Sequence, residues 1–145
     1  MPGANSSGAT LGRGSYPGLP LPAPDLRELR SIGVWDARTA QHWGLGWHRN
    51  EGIELTYLAA GHLDFAVEDR NVALEPGSFT IPRPWQKHRV GDPDVTASRL
   101  FWLILDVGVR RPNQAWRWPG WMLLDSALLR QARAIMRTRP CTTAA

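Results

Sequence analysis

The sequence predicts a mainly β chain, a small barrel or packed two-sheet roll, with one amphipathic helix near its C-terminal end. Three observations carry this. From about Ile32 the chain breaks into short alternating runs punctuated by Gly, Pro and Asp; a long apolar run, "SRLFWLILDV", comes late; and "SALLRQARAIMR" follows with helical spacing. At 145 residues the chain fits one domain with a real core.

The first 24 residues, "MPGANSSGATLGRGSYPGLPLPAP", are rich in Gly, Pro and Ser and predict a disordered tail, since so few large apolar groups cannot offset the chain entropy. They lack the basic start and apolar core of a secretory signal. Nowhere does the chain offer the ~18 apolar residues of a membrane span, so a soluble cytoplasmic protein without membrane contact is expected.

In "HWGLGWH", Trp43, Leu45 and Trp47 share one face and His42, Gly44, Gly46 and His48 the other. "GIELTYLAAG" places Ile53, Leu55, Tyr57 and Ala59 opposite Glu54, Thr56 and Leu58. Both faces of this second strand carry apolar groups, which predicts burial on both. Residues 62–74 read as a hairpin, with Leu63, Phe65 and Val67 on one face and "EDR" at the turn. "EPGS" breaks the chain, and Pro82 confines the short strand "FTIP" to an edge or a strand end.

"SRLFWLILDV" is the candidate central strand, and the tryptophans of "RRPNQAWRWPGW" are suited to pack over the outside of a sheet. The helix predicted over 126–137 is capped by Asp125 or Ser126 and gathers Leu128, Ala132, Ile135 and Met136 on or beside one stripe.

The net charge of +4 is a weak pointer to nucleic acid. Its distribution argues otherwise: Lys87 is the only lysine, the arginines are scattered among acids, and no pattern of two helices joined by a short turn appears, so no direct DNA contact is expected. The single cysteine, Cys141, has no partner for a disulfide or a thiolate metal site and reads as a spectator.

The informative polar residues are His48, Glu54 and His88. His48 and Glu54 are an even number of residues apart, which on a continuous strand puts both on one face. Two histidines and a carboxylate can bind iron, manganese or zinc with positions left open. The competing reading is a buried His and Glu that hydrogen-bond each other. No nucleophile with a positioned base and no Gly-rich phosphate loop is present, which argues against covalent catalysis.

The Glu-Leu-x-Tyr-x-x-x-Gly of residues 54–61, the hairpin, Leu-x-Pro-Gly at 74–77, Arg-Pro-Trp-Gln-x-His at 83–88 and the later "RLFWLILDVGVRRPNQ" together resemble the N-terminal cupin sensor domain of AraC-type transcription regulators, over roughly residues 30–138. The resemblance implies a double-stranded β-barrel (cupin, jelly-roll) over 30–122 that binds a small effector, often a sugar. It further implies a linker and dimerisation helix over 123–138 that makes a homodimer through Leu128, Ala132, Ile135 and Met136, and leaves 139–145 as a disordered tail. In relatives a helix-turn-helix DNA-binding domain follows. Here the chain ends about where that domain would begin, so a regulator truncated before its DNA-binding half is expected; a natural stand-alone sensor, a fragment and a frameshifted product all fit that ending.

The metal-binding cupin pattern wants two histidines separated by one residue, then Glu, then a later His; His48 is followed instead by Arg49 and Asn50. The expectation is therefore a non-enzymatic sensor without metal or other cofactor, its ligand held by His48, Glu54, Tyr57, Arg83, Trp85, Gln86 and His88, with Trp85 or Tyr57 stacking on it. The alternative is a small metal-dependent cupin enzyme, a dioxygenase or isomerase, using His48, Glu54 and His88.

Overall fold

The computed structural model describes residues 6–22, 26–111, 114–123, 125–127, 130 and 143–144. In chain order its strands are β1 (Ser6–Gly12), β2 (Leu19–Pro20), β3 (Leu29–Ala37), β4 (Leu45–His48), β5 (Ile53–Gly61), β6 (Leu63–Val67), β7 (Arg70–Leu74), β8 (Phe79–Thr80), β9 (His88–Val90), β10 (Ser98–Leu105) and β11 (Thr143–Ala144). They form two sheets, one ordered β11-β8-β5-β10-β3-β1-β2 and the other β4-β9-β6-β7. This is the mainly β, two-sheet architecture that the alternating runs predict.

The long apolar run is the centre of the larger sheet: β10 lies antiparallel between β3 and β5. Its side chains alternate between two cores. Leu100 points between the sheets, where it meets Leu58 of β5 and Leu63, Phe65, Val67, Leu74 and Val90 of the smaller sheet. Leu105 points the other way, into a second cluster with Leu29, Ile53, Val107 and Val109, covered by Trp116, Trp118 and Met122. Those tryptophans roof the outer face of the sheet, as their position in the sequence suggests. The hairpin also forms as expected, β6 pairing with β7 from Leu63 opposite Leu74 to Val67 opposite Arg70.

Two expectations are corrected. Ser6–Gly12 is a strand and not a disordered tail: β1 pairs antiparallel with β3 from Ser6 opposite Ala37 to Gly12 opposite Ser31. A strand added to an existing sheet has its backbone groups satisfied by its neighbour, so a small-residue sequence can order without a core of its own. Thr143–Ala144, assigned to a disordered C-terminal tail, pairs with β8 in the same way.

The helix predicted over 126–137 lies largely outside the described residues; where it would begin, Asp125 Oδ1 accepts the Ala127 N–H at 2.7 Å. The dimerisation residues Leu128, Ala132, Ile135 and Met136 lie outside the described residues.

Candidate functional site

The end of the space between the two sheets gathers three side chains from three strands. On β5 the period of two turns Glu54, Thr56 and Leu58 inward and Leu55 and Tyr57 outward. On the opposite sheet β4 and β9 pair with His48 directly across from His88. His88 Nε2 lies 3.2 Å from Glu54 Oε2 and His48 Nε2 3.9 Å from the same oxygen. The imidazole centroids are 4.3 Å apart, and Phe65 stacks on the far side of His88.

Backbone carbonyls fix the tautomers. His88 Nδ1 is 2.8 Å from Gln86 O, and His48 Nδ1 is 2.7 Å from Gly46 O. A carbonyl only accepts, so each Nδ1 carries a hydrogen, and each Nε2 donates to the carboxylate when its ring is protonated and turns a lone pair towards it when the ring is neutral. Thr56 Oγ1 donates to Glu54 Oε1 at 3.1 Å, and Asn50 Nδ2 donates to Oε2, which holds the carboxylate in its plane. Burial pushes the Glu54 carboxyl up, but the hydrogen bonds from His48 and His88 outweigh it and bring the group down to about 2. The bond to Glu54 raises His48 against its own burial, with the Gly46 carbonyl adding to the rise.

With both rings neutral, two imidazole lone pairs and an ionised carboxylate are three acceptors aimed at one point, and only a proton or a cation satisfies them together. The ligand atoms of His48, Glu54 and His88 lie within 4.8 Å of one another. Metal bonds of about 2.0–2.2 Å at the tetrahedral angle put two ligands about 3.3–3.6 Å apart, so the cluster closes on an ion by a shift of about 1.5 Å or less. The backbone hydrogen bonds at both Nδ1 atoms are the support that metal-ligating histidines use. The donor set fits a divalent metal.

The cluster opens on a cavity of about 370 Å³ lined by Trp35, Trp43, Leu45, Val90, Val95, Leu100, Trp102 and Ile104, with Thr10, Tyr16 and Pro17 along one side. Trp102 faces it because Gly33, its neighbour across the strands, has no side chain; a Cβ there would fall within the indole. Tyr16 and Pro17 arrive on the turn between β1 and β2. That turn is shaped by Gly12, where a Cβ would meet the Tyr16 and Pro17 carbonyls, and by Gly18, held at φ 120° against the Thr10 carbonyl. Burial raises the Tyr16 phenol, and the Glu51 and Glu54 charges raise it further.

Of the seven residues expected to hold a ligand, the structure brings together His48, Glu54 and His88. Tyr57 is 45% exposed on the outer face of β5, beside Phe101. Trp85 is 43% exposed at a left-handed backbone position, φ 65°, and its Nε1–H donates to Val109 O at 3.3 Å. The loop turns the indole outward, while the Trp85 N–H donates to Asn50 O at 2.7 Å and braces the site from behind. Gln86 Oε1 accepts the Arg83 N–H at 3.0 Å and closes that loop; neither side chain lines the cavity. Sequence reasoning missed Tyr16, Trp35, Trp102 and Thr56. The glycines at 12, 18 and 33 were the available signal for two of them.

No family model matches the chain, and no curated protein matches it. Solved structures do. A protein from Ralstonia eutropha JMP134 provisionally named a mannose-6-phosphate isomerase is 12% identical over 72% of this chain and 87% of its own, with a TM-score of 0.50. A cupin superfamily protein from Desulfitobacterium hafniense DCB-2 is 11% identical over 72% and 83%, with a TM-score of 0.49. A predicted oxalate decarboxylase from Thermotoga maritima is 18% identical over 55% and 68%, with a TM-score of 0.47. None of the three is named as a transcription regulator. The expectation of a non-enzymatic chain without a metal site is overturned by the cluster itself: His48, Glu54 and His88 form a donor set fit for a metal ion. At these identities the likeness is one of fold alone, the two-sheet β architecture described above.

Proposed function

We propose that the chain is a small metal-dependent enzyme of cupin type, acting as an isomerase or dioxygenase on an oxygen-bearing small molecule held in the tryptophan-lined cavity. The observation that carries this is the convergence of two Nε2 atoms on the Glu54 carboxylate, with both Nδ1–H groups anchored on backbone carbonyls. His48, Glu54 and His88 would hold the metal, which when bound supplies Lewis-acid polarisation of a substrate oxygen. Asn50 and Thr56 keep Glu54 oriented, the apolar walls exclude water, and the Tyr16 phenol, raised and therefore protonated at neutral pH, is available to donate a hydrogen bond.

The regulator-sensor reading rests on the sequence motifs, and no feature of the site favours it. No described helix is long and apolar enough to cross a membrane. A cytoplasmic place and a homodimer belong to the proposal.

The test is elemental analysis after loading with Co²⁺, Mn²⁺ or Zn²⁺ and exhaustive dialysis. Near one ion per chain is expected, with a cobalt absorption spectrum of mixed nitrogen and oxygen ligation. His48→Ala and His88→Ala should each weaken retention at least about tenfold. Wild-type protein that retains no ion, or variants that retain as much as wild type, would sink the metal reading.

A further inference from the structure

We infer that the cavity takes a flat, ring-sized organic molecule with a single oxygen-donor head and an otherwise apolar body, and not a sugar or polyol; this rests on the metal reading for the head alone. The volume of about 370 Å³ is that of a small-molecule pocket, and its walls are dominated by Trp35, Trp43, Trp102, Leu100 and Ile104. Several of the polar side chains that reach it are engaged with one another, while Thr10 and Tyr16 stand along one side and the Trp35 indole N–H is a buried donor without a side-chain or backbone partner among the described residues. Asn50 and Thr56 donate to Glu54, and the Ser31 hydroxyl accepts the Trp102 indole N–H at 3.1 Å. A polyol has a hydroxyl on nearly every carbon, and each one buried against indole and aliphatic carbon loses its water without gaining a partner.

An apolar ring has the opposite balance. Trp35 and Trp43 meet edge to face at 4.9 Å, and Trp102 lies over Gly33 on the neighbouring strands. These are rigid aromatic surfaces against which a ring buries its area without unpairing anything. His48, Asn50, Glu54 and Thr56 form one polar cluster in the lining, and that cluster is where an oxygen head would sit. That combination selects one-headed, apolar-bodied molecules.

Isothermal calorimetry on the full chain, cobalt-loaded and metal-free, tests this with 2-naphthoate, acetate and L-arabinose. For the loaded protein we expect 2-naphthoate to bind at least about tenfold tighter than acetate, which has the head without the body, and arabinose to give no heat of binding. Trp43→Ala, at a partly exposed edge where folding tolerates it, should weaken naphthoate about tenfold, whereas Trp47→Ala, exposed on the same edge and outside the cavity, should not. Arabinose binding as tightly as naphthoate, naphthoate no tighter than acetate, or equal losses in the two tryptophan variants would each overturn the inference. Naphthoate binding that depends on Trp43 but is the same with and without cobalt would keep the ring-sized ligand and remove the metal-bound head. Retained cobalt without any preference for naphthoate would do the reverse, leaving the metal reading standing and this inference overturned.

Discussion

Asn50 stands two residues after His48, where the metal-binding cupin pattern would have a histidine, and its amide donates to Glu54 Oε2 at the centre of the cluster. In the sequence this departure argued against a metal; in the structure the same residue orients Glu54, one of the three residues proposed to hold it. An imidazole at this position would add a neutral nitrogen donor beside the carboxylate. Asn50→His is therefore expected to lower the cobalt dissociation constant by about tenfold or more, which corresponds to about 1.4 kcal/mol, read by competition with a chromophoric chelator. An unchanged constant would place residue 50 outside the reach of the ion. The trio His48, Glu54 and His88 was legible because each polar group interrupts an apolar strand. Trp85 and Tyr57 were misread, because sequence shows neither the left-handed turn at Trp85 nor which face of β5 is the inner one until Glu54 is placed.

At the scale of elements, the β1–β2 turn depends on glycines whose replacement it cannot absorb. Gly18→Ala would place a methyl against the Thr10 carbonyl at a φ of 120°, which L side chains avoid. We expect amide exchange over residues 6–20 to accelerate while the β6–β7 hairpin keeps its protection; an unchanged exchange pattern would show that the turn does not need its glycine. A second tie joins β10, β3 and the chain after β10. Asp106 accepts from Arg110 at 2.6 and 2.8 Å, from Arg30 at 2.6 Å and from the Gly108 N–H at 2.8 Å. The Arg110 hydrogen bonds hold its carboxyl well below the usual range, against burial, with Arg30 and Gly108 adding to the effect. A depressed carboxyl contributes stability that is complete above the unfolded value of about 4 and is lost as pH falls through the folded value. Asp106→Asn should thus lose about 2 kcal/mol at pH 7 and show less further loss between pH 4 and 2 than wild type, by urea unfolding. Equal acid sensitivity in the two proteins would disprove the assignment. The hairpin and β10 were legible because alternation and length announce them. β1 was not, because its order comes from a partner strand some 20–30 residues away in sequence and not from its own composition.

For the molecule as a whole, β10 and β5 divide two cores, and only one of them carries the site. Phe65 belongs to the inner core and stacks on His88 with ring centroids 5.9 Å apart, so it sets the angle of a ring proposed to hold the metal. Leu105 is as deeply buried but lies on the outer face, among residues that Trp116 and Trp118 cover. Truncation of either creates a cavity in a packed interior, and Phe65→Ala and Leu105→Ala should each destabilise by about 3–4 kcal/mol in urea unfolding. Their effects on the site should part. With Phe65 gone, His88 keeps its bond to the Gln86 carbonyl but loses the surface that fixes its tilt, so cobalt affinity falls about tenfold or more. Leu105→Ala leaves the inward residues of β5 and β10 in register and should leave cobalt affinity within about twofold of wild type, because groups on opposite faces of a sheet with no shared partners act independently. Equal losses of cobalt affinity would mean that the site depends on global stability and not on the inner core. Unequal losses at matched stability would assign it to the packing between the sheets.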